Sequence, residues 1–232
     1  MPTLDERLAT VQAAVADAAR AADRDPAEIT TIVVTKFHPA SLVRELAALG
    51  VRDFGENRHQ EAQTKAAELT DLDATWHFIG QLQSNKARAV RRYADAIHSV
   101  DRLSLVSALG DGSAGDGDEV ATGPLDVFVQ VDLSDEPGRG GVVPAELDAL
   151  VDAVLAKPDL HLRGLMAVAP LGVDPARAFA SVRGLSDRVR VAAPSATALS
   201  MGMSGDFDAA IREGATHLRI GTAITGNRPD PR

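Results

Sequence analysis

Apolar side chains recur at helical spacing at the start of this chain, at Leu4, Leu8, Val11 and Val15. This spacing predicts an amphipathic helix that ends near Arg24. Beyond it, short apolar runs alternate with longer segments of helical periodicity, and the first run, at 29–35, is β-branched, which is typical of a buried parallel strand. The predicted strands are 29–35, 51–54, 75–79, 96–99, 125–132, 162–168, 198–200 and 217–220. The predicted helices that follow them are 40–49, 57–69, 85–93, 101–109, 144–156, 174–188, 206–213 and a short one after Gly221.

Eight strand–helix units in alternation, preceded by one extra helix, predict an α/β protein that folds as a single (β/α)8 TIM barrel. The chain has 232 residues, of which 45% are hydrophobic, and we expect residues 1–232 to form one domain. A doubly wound open sheet is the alternative topology for the same alternation. In a barrel the active site lies at the C-terminal ends of the strands, so the residues that follow each strand are the first candidates for function.

Charge and composition exclude several function classes. The formal net charge is −9 and aromatic residues make up 3% of the chain, which argues against binding to nucleic acid. The chain has no cysteine, which excludes disulfides, thiolate metal sites and cysteine nucleophiles. No apolar stretch has the length of a membrane span, and the acidic, polar N-terminus does not resemble a signal peptide. We therefore expect a cytoplasmic protein that contacts no membrane.

Two polar segments are predicted to be loops on opposite faces of the barrel. Residues 110–118 are acidic and rich in glycine, and they join a helix to the next strand, which puts them opposite the active site with no catalytic role. Residues 134–141 join the fifth strand to its helix and therefore lie on the active-site face, where they form a candidate lid.

Lys36 is the first candidate for chemistry. It directly follows the strand at 29–35 and precedes Phe37 and Pro39, so its amine is expected at the C-terminal end of the barrel. A partly desolvated lysine amine loses its proton readily and then acts as a Schiff-base nucleophile. The alternative is a lysine that only extends from a strand end into solvent.

Two glycine-containing loops follow the last two strands. The first runs from Ser200 to Gly205 and the second contains Gly221 and Thr222. Barrels commonly bind phosphate with these two loops, because glycine lets the backbone approach the anion while N–H groups and hydroxyls bind it. Tight turns are the alternative explanation of the glycines. Their presence in both expected places favours phosphate.

Arg219 lies inside the last predicted strand, on the face opposite Leu218 and Ile220. A guanidinium group inside a barrel is costly unless it has a partner. That partner is either a carboxylate on a neighbouring strand or a ligand that offers a ring nitrogen or an anion.

The other chemistry-bearing residues predict neither a metal site nor a catalytic triad. The six histidines show no metal-ligand spacing, and we interpret them as structural or surface residues, with His77 the best candidate to face the pocket. Ser204 has no histidine and carboxylate partners in a nucleophile motif.

A lysine amine, two phosphate-binding loops and a buried arginine on one barrel face together suggest pyridoxal 5′-phosphate (PLP) as a cofactor. Several segments also resemble the YggS/PROSC family of PLP homeostasis proteins, in order and over nearly the whole chain. These segments are VTK at 34–36, FGEN at 54–57, WHFIGQLQSNK at 76–86, RGLM at 163–166, LSMGMS at 199–204 and RIGT at 219–222.

The resemblance implies an alanine-racemase-like N-terminal barrel with PLP bound as a Schiff base to Lys36. It places Asn57 beside the ring and Arg219 at the pyridine nitrogen. The phosphate is assigned to Ser200, Gly221 and Thr222. The full set of cofactor-binding residues that it implies is Lys36, Asn57, Met166, Ser200, Gly202, Met203, Ser204, Arg219, Gly221 and Thr222.

A cationic Arg219 beside the pyridine nitrogen disfavours its protonation and makes the cofactor a weak electron sink. The racemases of similar fold use a second domain and a tyrosine base from the partner subunit, but the only tyrosine here is Tyr93, at the end of a peripheral helix. The expected function is therefore intracellular PLP homeostasis, that is, storage, delivery or buffering of PLP without substantial turnover.

Two alternatives stay open at this point. One is a PLP-dependent racemase or decarboxylase of weak activity. The other, from the residues alone, is a class I aldolase with Lys36 as its Schiff-base amine. For a homeostasis protein, PLP-dependent apoenzymes are the expected recipients of the cofactor, and the missing second domain favours a monomer.

Overall fold

In the computed structural model, eight parallel strands close into a barrel in sequence order, with β8 paired to β1. The structure describes residues 2–110, 123–134 and 140–227. The strands are β1 Thr30–Val34, β2 Asp53–Glu56, β3 Thr75–Phe78, β4 Ala96–Val100, β5 Leu125–Gln130, β6 Leu160–Met166, β7 Ala198–Ser200 and β8 His217–Ile220. The helices are α1 Leu4–Ala21, α2 Ala40–Ala48, α3 His59–Glu68, α4 Ala87–Arg91, α5 Leu103–Gly110, α6 Leu147–Leu155, α7 Pro175–Ala192, α8 Phe207–Arg212 and α9 Thr222–Thr225.

The predicted (β/α)8 barrel with an extra N-terminal helix is confirmed, and the open-sheet alternative is wrong because β1 pairs with both β2 and β8. The largest boundary difference is at the end of α7, which was predicted at 188 and lies at Ala192. Strand β2 was predicted at 51–54 and starts at Asp53. Val51 is buried, but its N–H donates to the Leu46 carbonyl, so it closes the C-terminal turn of α2 rather than opening the strand. An apolar residue at that position satisfies a helix end as well as it satisfies a strand.

Two layers of side chains surround the strands. The outer layer, between strands and helices, is apolar and includes the fully buried Phe54, Phe179 and Leu46. The inner layer has a small apolar group of Phe128, Met166 and Ala198. Beside that group the interior is polar, with the buried side chains of His77, His98, Ser200 and Arg219. The polar inner layer is where the site described below begins.

Helix α1 lies outside the barrel and packs against α8 and α9. Thr3 and Glu6 form a capping box at its start, and its buried face carries the predicted Leu8, Val11 and Val15. Arg7 Nε donates to the carbonyl of Ile224 at 2.7 Å, which ties this helix to the one after β8.

Both predicted loops fall largely outside the described residues, which omit 111–122 and 135–139. The opposite-face loop and the lid therefore stay predictions. In the described part of the predicted lid, the Gly140 carbonyl accepts a 3.0 Å hydrogen bond from Gln130 Nε2. Among the described residues, no helix combines the length and the apolar character needed to cross a bilayer.

Candidate functional site

The predicted site residues lie at the C-terminal end of the barrel and in its interior. Lys36 follows β1 and is exposed, and Asn57 follows β2. Met166 ends β6 in the inner apolar group, and Ser200 ends β7. The loops that carry Gly202, Met203, Ser204, Gly221 and Thr222 follow β7 and β8.

Lys36 and the loop after β8 emerge from neighbouring strands. Val33 is in register with Ile220, so Val34 is level with Gly221. A Cβ added at Gly221 would meet only Val34, at an ordinary 3.6 Å. Packing therefore does not require glycine here. The space in front of this backbone is open, which would allow a ligand to approach it closely.

Gly202, in the loop after β7, has a structural reason to be glycine. Its φ is +96°, and an added Cβ would lie 2.6 Å from the Cβ of Ala210 in α8. Both the conformation and the close approach exclude a side chain. Ser204 and Thr222 are exposed in the two loops, so their hydroxyls are available to an anion at the barrel mouth.

A buried ion cluster holds the backbone on both sides of Lys36. Lys65 Nζ, on α3, contacts Glu56 Oε1 at 2.6 Å and Glu61 Oε1 at 2.7 Å. The same amine donates to the Thr35 carbonyl at 2.8 Å, and Glu61 accepts from the Phe37 N–H at 2.5 Å. The two peptide units that flank Lys36 are thus fixed by one cluster, and Phe37 adopts a left-handed φ of +69°.

This cluster was missed by the sequence analysis. Lys65 and Glu61 are four residues apart on α3, a spacing that is usually read as a surface ion pair. Burial raises the pKa of Glu56, and Lys65 and the Thr35 hydroxyl beside it counter that effect. Glu56 Oε2 and Asn57 Oδ1 are buried without a hydrogen-bond partner. Both atoms have no partner within the described residues, and each could accept a hydrogen bond from a bound group.

Arg219 is buried and has no carboxylate partner within the part of the chain that the structure describes. Its guanidinium donates to Ser200 Oγ at 2.7 Å and to the Ala167 carbonyl at 2.8 Å. The predicted alternative of a salt bridge to a neighbouring strand is therefore absent among these residues. Burial lowers the pKa of Arg219 to about 10, and Asp206 opposes this effect. The guanidinium stays protonated at neutral pH, with no carboxylate in contact with it among the described residues.

Ser200 lies deeper than its assignment to the phosphate implies. The side chain is fully buried, and its hydroxyl lies 2.8 Å from His98 Nδ1 in addition to its contact with Arg219. His77 is also in the interior, where it contacts His98 and Asp53. The structure thus connects Ser200 to Arg219 and to the interior histidines. Its contact with a phosphate stays a prediction.

A cleft of about 500 Å³ opens beside Asn57. It is lined by the residues after β2 and by the predicted motif after β3, namely Arg58, His59, Gln60, Glu61, Phe78, Gln81, Leu82, Gln83 and Lys86. Tyr93 faces this side of the molecule, with its hydroxyl 3.3 Å from His59 Nδ1, and burial raises its pKa. The single tyrosine is therefore a protonated, paired phenol rather than a free base.

Comparison with known proteins identifies the family of this chain. The profile of the alanine racemase N-terminal domain matches residues 8–229. The pyridoxal phosphate homeostasis protein of Pseudomonas aeruginosa is 44% identical over 98% of this chain and 97% of its own length. The protein of the same name from Escherichia coli K12 is 40% identical over 98% of both chains.

Solved structures show the same relationship. PipY from Synechococcus elongatus, solved with PLP bound, is 39% identical with a TM-score of 0.82, covering 97% of this chain and all of its own. Alanine racemase from Corynebacterium glutamicum shares the fold at 17% identity and a TM-score of 0.68, with 94% of this chain and 61% of the racemase covered. The chain thus belongs to the family of pyridoxal phosphate homeostasis proteins, which is built on the alanine racemase N-terminal domain.

Proposed function

We propose that this protein binds PLP at the C-terminal end of its barrel and serves intracellular PLP homeostasis by storing, delivering or buffering the cofactor. The observation that carries the proposal is Arg219, a buried cation with no carboxylate partner among the described residues. Such a cation needs an electron-rich partner from a ligand. The relative PipY was solved with PLP bound.

The residues present fit PLP. When bound, PLP supplies an aldehyde that condenses with a lysine amine, with loss of water, and Lys36 is the exposed amine above the ion cluster. In this proposal Arg219 would face the pyridine nitrogen, and Asn57, whose Oδ1 has no hydrogen-bond partner among the described residues, would lie beside the ring. The phosphate is bound by the loops after β7 and β8. The residues proposed there are Ser200, Gly202, Met203, Ser204, Gly221 and Thr222, with Met166 at the floor of the site.

The absorption spectrum of the purified protein tests this proposal. We expect a visible absorption band that borohydride bleaches and that Lys36→Ala abolishes while the fold is kept. Lys86→Ala is the matched control, because Lys86 is also exposed at this end of the barrel, and it lines the neighbouring cleft. An unchanged band in Lys36→Ala would refute the assignment of Lys36.

Absence of substantial turnover is the second part of the proposal. A protonated Arg219 disfavours protonation of the pyridine nitrogen, which weakens electron withdrawal by the ring. Tyr93 is paired with His59, so no tyrosine base is at hand. We expect little exchange of the α-hydrogen of alanine in deuterated water. Exchange at a rate of roughly 1–1000 per second, which is typical of enzymes, would favour the alternative of a PLP-dependent racemase or decarboxylase.

Cytoplasmic location, a monomeric state and PLP-dependent apoenzymes as recipients complete the proposal. Light scattering of the loaded protein tests the monomer. Mixing the loaded protein with the apo form of a PLP-dependent enzyme tests delivery, since the recipient should gain activity as the visible band of the donor declines. Recovery no faster than with the same amount of free PLP would favour storage over directed delivery. The family relationship favours all of these roles over the class I aldolase.

A further inference from the structure

An unbroken series of polar contacts crosses the barrel interior below Arg219. Arg219 donates to Ser200 Oγ at 2.7 Å, and Ser200 Oγ lies 2.8 Å from His98 Nδ1. His98 Nε2 lies 3.0 Å from His77 Nδ1, and His77 Nε2 lies 3.0 Å from Asp53 Oδ1. Asp53 opens β2, so this end of the series lies at the N-terminal end of the barrel, where the Asp53 side chain is partly exposed.

The two ends of this series fix the direction of every bond in it. A guanidinium can only donate and a carboxylate can only accept. His77 therefore donates from Nε2 to Asp53, which leaves Nδ1 of a neutral His77 as an acceptor. His98 must then donate from Nε2, and its Nδ1 must accept from the Ser200 hydroxyl, whose oxygen accepts from Arg219. All four bonds run from Arg219 toward Asp53.

Both histidines must be neutral for this arrangement, and the surroundings of His98 favour that state. His98 is fully buried, stacked on Phe128 with ring centroids 4.2 Å apart. Burial, followed by the nearby His77, His217 and Arg219, lowers the pKa of His98 well below its usual value. A protonated His98 would add a second cation beside Arg219 in a site of low dielectric constant, which is unfavourable.

We propose that Ser200, His98, His77 and Asp53 are positioning residues that act as one directed hydrogen-bond chain and hold Arg219 at the cofactor site. The chain keeps Ser200 Oγ oriented as an acceptor for Arg219, so the guanidinium is aimed without a carboxylate that would neutralise it. The positioning role rests on the proposed function, while the direction of the chain does not. The residues concerned are not adjacent in sequence and come from β2, β3, β4, β7 and β8.

One added proton would reverse part of the chain. A protonated His77 donates from both nitrogens, so His98 Nε2 becomes an acceptor and His98 Nδ1 donates to Ser200 Oγ. The Ser200 hydroxyl then no longer donates its hydrogen to His98. The other titratable and charged groups facing this region are His217 on β8 and Arg163 on β6, both outside the chain, since His217 Nδ1 bonds to Thr216 Oγ1.

The tautomers of His77 and His98, measured in protein free of cofactor, test the direction of the hydrogen-bond chain. Long-range ¹⁵N–¹H correlation spectra distinguish Nδ1–H, Nε2–H and charged rings, and at pH 8 an ordinary histidine is neutral. We expect His77 and His98 both to be the Nε2–H form. The Nδ1–H form of either ring, or a mixture, would overturn the proposal whether or not the protein binds PLP. Substitution of each histidine in turn assigns the signals.

PLP retention tests the positioning role. His98→Phe keeps a ring to stack on Phe128 but breaks the chain, and we expect PLP affinity to fall about fivefold, the scale of one net hydrogen bond. His217→Asn removes an interior histidine outside the chain and is expected to leave both the affinity and the tautomers of His77 and His98 unchanged. Parental affinity in His98→Phe would overturn the positioning role. If the parent itself fails to bind PLP, the proposed function fails and the tautomer result still stands.

Discussion

Two buried cations at the same end of the barrel have opposite surroundings. Lys65, beneath Lys36, contacts two carboxylates and a carbonyl oxygen. Arg219, across the β1–β8 junction, contacts a hydroxyl and a carbonyl oxygen but no carboxylate within the described residues. Their exposed fractions are nearly equal, at 4% and 5%. Burial alone therefore does not distinguish a structural charge from a functional one.

The partners make the distinction. A cation that is neutralised by carboxylates has no charge left to act on a ligand, so Lys65 serves to fix the backbone around Lys36. A cation that is held only by neutral groups keeps its field, and it stays costly until a ligand supplies electron density. The predictions below begin with this difference, where the largest effect is expected, and end with the change expected to have the smallest effect.

Lys65→Met should have the largest effect on stability. It leaves Glu56 and Glu61 in the barrel wall without their cation, and we expect the free energy of unfolding to fall by about 3–5 kcal/mol. Urea denaturation of the protein without cofactor measures it. The control is Lys86→Met, where the lysine is exposed and the loss should stay below about 1 kcal/mol.

Arg219→Met completes that comparison. It leaves no carboxylate unpaired, so we expect a smaller loss of about 1–2 kcal/mol, from the bonds to Ser200 and Ala167. If Arg219→Met is the more destabilising of the two, the contrast between the paired and the unpaired cation does not hold.

Acid should destabilise the protein through its interior histidines. Burial lowers the pKa of His217 to about 4, and it lowers that of His98 in the same direction. Below pH 6.5 the unfolded chain binds protons that the folded protein does not. Stability therefore falls as the pH drops from 6.5 toward 4, by up to about 3 kcal/mol for His217. Urea denaturation at several pH values should show a shallower dependence of stability on pH for His217→Asn than for the parent.

Ser200→Ala and Thr222→Val should each weaken PLP retention without preventing Schiff-base formation. The expected cost is about 1.5–3 kcal/mol, the scale of a hydrogen bond to a charged group. Dialysis followed by spectroscopy measures it. Thr222 is exposed at the mouth, whereas Ser200 is buried against Arg219 and His98. If both variants retain PLP as the parent does, the phosphate lies elsewhere.

Deletion of residues 112–117 should have the smallest effect. This segment lies outside the described residues. It connects α5 to β5 in the chain, and the sequence predicts that it lies on the barrel face away from the site. PLP affinity should be unchanged. A large loss of affinity in a folded variant would place this segment at the site and would contradict the predicted face.

The barrel could be predicted because its signal is local and repeated. Most strands coincide with short apolar runs and most helices with helical periodicity, so errors such as the start of β2 at Asp53 do not alter the topology. The location of Arg219 in β8 followed from alternation alone. Its lack of a carboxylate partner did not, because partners on β6 and β7 are set by barrel closure.

The contacts of the interior histidines could not be predicted from the sequence. His77 and His98 were interpreted as structural or surface residues because their spacing fits no metal motif. Their contacts with Asp53 and Ser200 join strands up to 102 residues apart, a separation at which no sequence periodicity carries information. The ion pair of Glu56 and Lys65 was missed for a related reason, because the sequence does not show whether a lysine on a helix is buried.

The hydrogen bond from Arg7 to Ile224 sets the order of events during synthesis. It joins residues 217 positions apart, and β1 likewise waits for β8 to complete its hydrogen bonds. At about 5–20 residues per second, a ribosome needs roughly 10–40 s to supply the second partner. For that interval one edge of β1 and the apolar face of α1 have no native cover. The N-terminal part of the nascent protein therefore needs protection from aggregation until β8 and α9 have been synthesised.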